Sequence, residues 1–526
     1  VVRVMRNGKE YAVYINGNPR AAQALNGMTN PDASKSKARE AAQKVKNFMA
    51  RAFTSRNPAF IISNSVRDVI WAGTAVAAKE DVAYTKQYTK NVTGVLAKFK
   101  LPRLLRKFQN GTLDMNNEIE RYFDEFLRNG GETGFTQVLT VEDYKKNIAR
   151  FTKEAKNGTS IPKKAWRGLW NGIEFLNRSA EDITRFTVYM TSRQMGRSIA
   201  RSVYDAKEIT VNFNKKGSGE MGARYLNFAY IFFNATIQSL ANFGKLMARH
   251  PGKMAAALGT YGMMGFLMPV INAALMVLGD DDDEENYWNL PEWVRRNNIV
   301  LFVPWTEKGF ITIPLPHEIR PFYGMGENAM SALQGKQTTE DAIKKSLVGF
   351  TGMLPIDFTA NDGDVVVNVM PTILQPLAQV RANVTHFGTP IYKDNDFNKR
   401  YPSWTKAYKG TNSHLVAATK WLNELGGGNN VDSGGLLDWN PAVIEHLFES
   451  YLGGMGKTFN KMATTVSMIW DEEARIPRNI PVASSFYQES DERTAGSQLN
   501  REYFDALEDM EGFQHRMSGY QKQITK

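Results

Sequence analysis

The residues of this chain whose types and spacing could do chemistry form small groups, each lacking one part of the reaction it suggests. Gly456-Lys457-Thr458 has the ending of a phosphate-cradling loop, but that loop needs a second Gly five positions earlier, where Tyr451 stands. The segment before it also reads as helix, where a phosphate loop follows a strand. Asp357, Thr359, Asn361 and Asp364 have part of a calcium-loop spacing. The turn glycine comes one place late, at Gly363, and Asn368 replaces the closing Glu. The six His residues are scattered with no HExxH pair for zinc, and no GxSxG elbow occurs. Glu445 and His446 are adjacent, so a helix points them in different directions. Glu174, Glu181 and Asp182 come nearest to an acid–base set, on a helix where Arg178 and Arg185 lie one turn away to pair with them. The acidic run Asp280–Glu285 reads as a solvated charged flank before it reads as an ion site. The chain has no Cys, which excludes disulfides, thiolate metal sites and Cys nucleophiles. The expectation is a non-enzymatic chain with no catalytic residue, no cofactor and no metal.

The element that must organise everything else is the run Met254–Gly279, which carries no charged side chain. At about 1.5 Å per residue it is long enough to cross a hydrocarbon core of about 30 Å. Lys245, Arg249 and Lys253 precede it and the acidic run follows, a charge asymmetry that would orient a membrane span. The competing reading is a helix buried in the protein or between subunits, broken at Pro269 and loosened by Gly259, Gly262 and Gly265. In either case Met254, Leu258, Phe266, Leu267, Pro269, Val270, Leu275 and Leu278 are its membrane or interface residues. Tyr287, Trp288 and Trp293 would form an interfacial aromatic belt beyond it.

The rest of the pattern is mainly α. Residues 1–28 read as a β-hairpin around Asn7-Gly8 with a short helix behind it. Residues 29–250 read as a helical domain, in which Asn57-Pro58-Ala59-Phe60 has the cap, first-turn proline and staple of a helix start. Asn64, Arg67 and Asp68 follow on one face of that helix, and with Asn57 they read as a structural polar motif. After the apolar segment, 251–286, comes a mixed region, 287–400, with a small hairpin near 299–314. A helical C-terminal region, 401–526, carries Gly-rich joints. The whole predicts a multi-helical, elongated assembly subunit. With 526 residues, 42% hydrophobic and 23% charged, the composition is globular. A net charge of +11 suits a protein lying beside nucleic acid or anionic lipid. The chain opens on Val1, and we expect a processed product or one segment of a longer polypeptide.

Six motifs in order carry a resemblance: NGKEYAVYINGNPRAAQAL, NPAFIISNSVRD, FFNATIQ, ITIPLPHEIRPFYGMGE, PTILQPLAQVRANVTHFGTPIY and NPAVIEHLFESYLGGMG. Together they resemble the large polyvalent proteins of tailed phages, in particular one of their conserved associated domains, over most of residues 1–495. The resemblance implies an internal virion protein, packaged in the capsid and sent into the host envelope with the genome. It implies a homo-oligomer that meets other internal virion proteins or the portal, touches double-stranded DNA without sequence preference and reaches the host inner membrane. Enzymatic activities of such polypeptides sit in neighbouring domains, so no catalytic residue is carried over. The expected role is a conduit for genome delivery; the alternative is a portal- or capsid-bound scaffold with the apolar segment buried in a subunit interface.

Overall fold

The computed structural model describes residues 2–6, 9–13, 37–54, 57–96, 100–131, 182–211, 229–277, 286–304, 309–354, 369–385, 390–394, 401–408, 411–429, 434–453 and 486–489, with single positions at 226 and 367. The Gly456 motif, the Asp357 loop, the acidic run, Leu278, Glu174 and Glu181 lie outside these residues. The described chain is mainly helical and divides into two units, each assembled from two separated stretches: 1–257 with 347–467, and 258–346 with 468–526.

In unit 1, β1 (Val2–Arg6) and β2 (Lys9–Val13) pair antiparallel, Val2 opposite Val13. The helices follow as α1 (Lys37–Phe53), α2 (Pro58–Lys79), α3 (Val82–Leu96), α4 (Lys100–Asn110) and α5 (Glu118–Arg128). Then come α6 (182–194), α7 (Ile199–Glu208) and α8 (Phe233–Arg249). Asn57 starts α2 by accepting from the Phe60 N–H, with Pro58 in the first turn where no amide partner is needed. Asn117 starts α5 in the same way. The core of this unit is aromatic. Phe123, Phe126, Phe186 and Tyr189 interlock from α5 and α6, the Phe123 and Phe186 rings meeting edge to face at 5.1 Å. Leu101, Leu104 and Leu105 are the buried side of α4. A second cluster joins Trp71, Ala75 and Val76 of α2 to Tyr84 and Tyr88 of α3, with Phe243 and Leu246 of α8 against it.

The long helix α9 (Pro251–Val277) crosses from unit 1 into unit 2 after Ala257. Unit 2 continues with α10 (Asn286–Asn289), α11 (Glu292–Asn297), β3 (Asn298–Phe302), β4 (Gly309–Pro314), α12 (Arg320–Leu333) and α13 (Thr339–Thr351), whose last turn returns to unit 1. The hairpin expected near 299–314 is present, with Ile299 opposite Ile313. Its third strand, β5 (Tyr487–Glu489), comes from far along the chain and pairs with β4, giving the order β3-β4-β5.

Unit 1 is completed by α14 (Gln375–Ala382), α15 (Ser413–Leu425) and α16 (Pro441–Leu452). Asn440 caps α16, which packs on α14 and α1. His446 of α16 hydrogen-bonds Gln379 of α14 at 2.9 Å, and the Tyr451 hydroxyl donates to Ile373 O.

Candidate functional site: the two faces of the apolar helix

Helix α9 is apolar all round in sequence, yet in the fold its two sides differ completely. Leu258, Gly265, Met268, Pro269, Asn272 and Met276 recur at helical spacing and are buried. The glycines on this side are packing contacts. A Cβ on Gly326 of α12 would overlap Gly262 O and stand 2.7 Å from Phe266 N, and one on Gly265 would stand 2.9 Å from Tyr323 C. The backbones of α9 and α12 therefore touch, an approach that only missing side chains permit. Gly262 and Gly265 read in the sequence as loosening the helix; in the fold they bring it close to its neighbour.

One turn beyond Pro269, the buried Asn272 amide donates to Met268 O and Val300 O and accepts from Phe302 N at 2.8 Å. A single polar side chain thus fixes the register of the apolar helix against β3. Neither Asn272 nor Gly326 stood out in the sequence. The only signal available was one amide inside an uncharged run and one glycine in the sequence GMGE.

On the opposite side Met263, Leu267, Val270, Ile271 and Val277 are exposed, Met263 to 57% and Val277 to 67%. They follow one another at i, i+4, i+7, i+8 and i+14, a continuous apolar stripe. Only 28% of the most apolar stretch of α9 is buried, and α9 is the one described helix long and apolar enough to cross a membrane. Of the other residues expected on this segment, Met254 is buried in unit 1, while Phe266 and Leu275 are half-buried. Nearby, Lys253 donates to Glu80 O at 2.8 Å.

The three aromatics beyond α9 take three different places. Tyr287 is 3% exposed and belongs to the core; Trp288 is half-buried and donates its indole N–H to Gln334; Trp293 is 54% exposed. Arg295 lies 4.8 Å over the Trp288 ring and holds Glu327 of α12 at 3.2 Å. Burial pushes the Glu327 carboxyl above the ordinary carboxylate range, against the pull of Arg295 and Arg296. Glu318, also buried, is raised for the same reason.

Among the described residues, the polar groups whose types suit chemistry sit in structural contacts. Asn64 donates to Asp68 at 3.2 Å, and Arg67 beside them is lowered by burial. Asp182 and Arg185 stand 4.0 Å apart, and Arg185 also donates to Val211 O. Glu445 accepts from the Asn412 N–H. Among the described residues the densest charge cluster has no local sequence signature: Arg197 spans Glu80 at 2.5 Å and Asp205 at 2.7 Å, Lys79 and Arg201 also reach Asp205, and the Arg197 guanidinium lies 4.7 Å from the Tyr84 ring. Each acid in it faces a cation, the pattern of a helix clamp. Among the described residues no three His, Asp or Glu side chains converge on a metal-sized space.

Residues 284–483, less than half of the chain, match the family profile described as large polyvalent protein associated domain 38. No curated protein and no solved structure matches the chain.

Proposed function

The chain carries a large polyvalent protein associated domain, and from that premise we propose that it is an internal virion protein of a tailed phage with no catalytic role of its own. Released with the genome, it oligomerises and lines a conduit across the host envelope, with the exposed stripe of α9 meeting the inner membrane. The observation that carries this reading is the stripe itself. A helix held by one side only, showing water Met263, Leu267, Val270 and Ile271, has a cover still to find.

A scaffold bound to portal or capsid, with the stripe buried between subunits, is the second reading. It is favoured by the backbone contact at Gly265 and Gly326 and by the Asn272 bonds, which tie α9 to unit 2. Because the chain has no Cys, Met263→Cys offers a unique site for an environment-sensitive dye. On liposomes, the labelled chain should float and its emission should shift to the blue. Leu267→Glu with Val270→Glu should abolish both without unfolding the chain. If nothing floats and the double substitution dissolves oligomers instead, the scaffold reading replaces the conduit.

A further inference from the structure

Between Asp81 and Asp114 the sequence contains no acidic residue, while Lys86, Lys90, Arg103, Arg106 and Lys107 all fall there. The fold puts them on the outer sides of α3 and α4. On α3, Tyr84 and Tyr88 are buried and Lys86, Thr89, Lys90 and Thr93 are exposed. On α4, Leu101, Leu104 and Leu105 are buried, and Arg103, Arg106 and Lys107 are exposed. Of these cations the acids of the next helix pair with Lys107 alone and leave the other four without a partner among the described residues. Glu120 holds Lys107 at 2.6 Å, Asp124 holds Arg128, and Glu125 holds Arg193. Lys86, Lys90, Arg103 and Arg106 make no hydrogen bond or ion pair among the described residues.

We infer that these four side chains form a contact surface for the phosphate backbone of double-stranded DNA. The inference deepens the delivery reading and rests on it for the kind of polyanion. Arg103 and Arg106 lie about 4.5 Å apart along the axis of α4, and Lys86 and Lys90 about 6 Å apart along α3. Such flexible cations at successive turns can follow phosphates along a strand, while the Thr89 and Thr93 hydroxyls are turned back onto the Thr85 and Thr89 carbonyls of their own helix. The Gln87 and Asn91 amides of α3, which could read a base edge, are bonded to each other and to Gln194, so the contact rests on charge and is indifferent to sequence. An anionic membrane fits less well. A helix lying in a lipid surface needs apolar side chains next to its cations, and the leucines of α4 are already spent in the core.

The test is fluorescence anisotropy of a labelled duplex with the full chain over a salt series, alongside the variant Lys86→Gln, Lys90→Gln, Arg103→Gln, Arg106→Gln. The wild type should bind two unrelated duplexes equally, with affinity falling about as the third to fourth power of salt. The variant, with unchanged circular dichroism, should bind at least about tenfold more weakly and lose most of that salt slope. Absence of duplex binding at low salt overturns the inference, as does a folded variant that binds like the wild type. So does vesicle binding that depends on these four residues while duplex binding does not. A chain that floats on liposomes yet ignores DNA refutes this surface alone and leaves the membrane reading standing.

Discussion

The two units solve one problem, holding a helix against its neighbours, with opposite chemistry. In unit 1, α6 and α7 are clamped to α2 and α3 by charge: Arg197 joins Glu80 to Asp205, and Gln87, Asn91 and Gln194 add a chain of amide bonds beside it. In unit 2, α9 is held to α12 by the absence of side chains at Gly262, Gly265 and Gly326 and by one amide, Asn272. A charge clamp tolerates small shifts, since long side chains can follow their partners. A backbone contact does not, because nothing in it can rotate away. The helix with the exposed apolar stripe is therefore held in the less forgiving of the two ways.

Gly326→Leu should break that contrast most severely. Its side chain would have to enter the backbone of α9, at a cost of about 3 kcal/mol or more. Hydrogen exchange should report it as loss of protection across α12 and β3, with unit 1 unaffected. Arg197→Met should cost less, about 2 kcal/mol, because Arg197 is partly solvated and Lys79 and Arg201 still face Asp205. Exchange should then rise in α7 and leave α9 unchanged.

The smallest effect is the sign of the response to acid. His446 in unit 1 has its pKa lowered by burial, so its contribution is present above the usual imidazole value of about 6.5 and is lost as pH falls below it. Glu318 and Glu327 in unit 2 are raised, so the folded state there takes up protons more readily than the unfolded one. Their penalty is absent below the usual carboxylate value of about 4.3 and grows as pH rises. From pH 7 down to pH 4, protection relative to the intrinsic exchange rate should therefore fall around α16 and rise around α12, by less than about 1.4 kcal/mol per pH unit for each group. A parallel drift of both regions would remove the distinction.

What the sequence disclosed was local. The Asn57-Pro58 and Asn440-Pro441 starts, the strands on either side of residue 305 and the length of α9 all rest on neighbours within a few positions. What it hid was long-range. β5 joins the sheet through Phe486 O, which accepts from the Thr312 N–H, and no periodicity near residue 487 points to residue 312. Gly265 carries no mark separating a flexible glycine from one pressed against another backbone, since the difference lies in Gly326. Arg197 looks like any surface arginine until α2 brings Glu80 beside it. Tyr287 reads as a boundary aromatic and is a core residue because α12 places Tyr323 and Glu327 against it.

Asn272 carries one more consequence. Val303 N–H points at β4, donating to Gly309 O, so Val300 O and Phe302 N, out of step with it, open on the far side of β3. The Asn272 amide meets that pair as the peptide group of an additional strand would, donating to one and accepting from the other. The β3 margin of the sheet is thereby occupied by a single side chain at this pair. A second chain finds no template at that point for strand-by-strand addition, which is how exposed margins seed fibres. The residue that fixes the apolar helix thus also closes the β3 side of the sheet to a further strand at Val300 and Phe302.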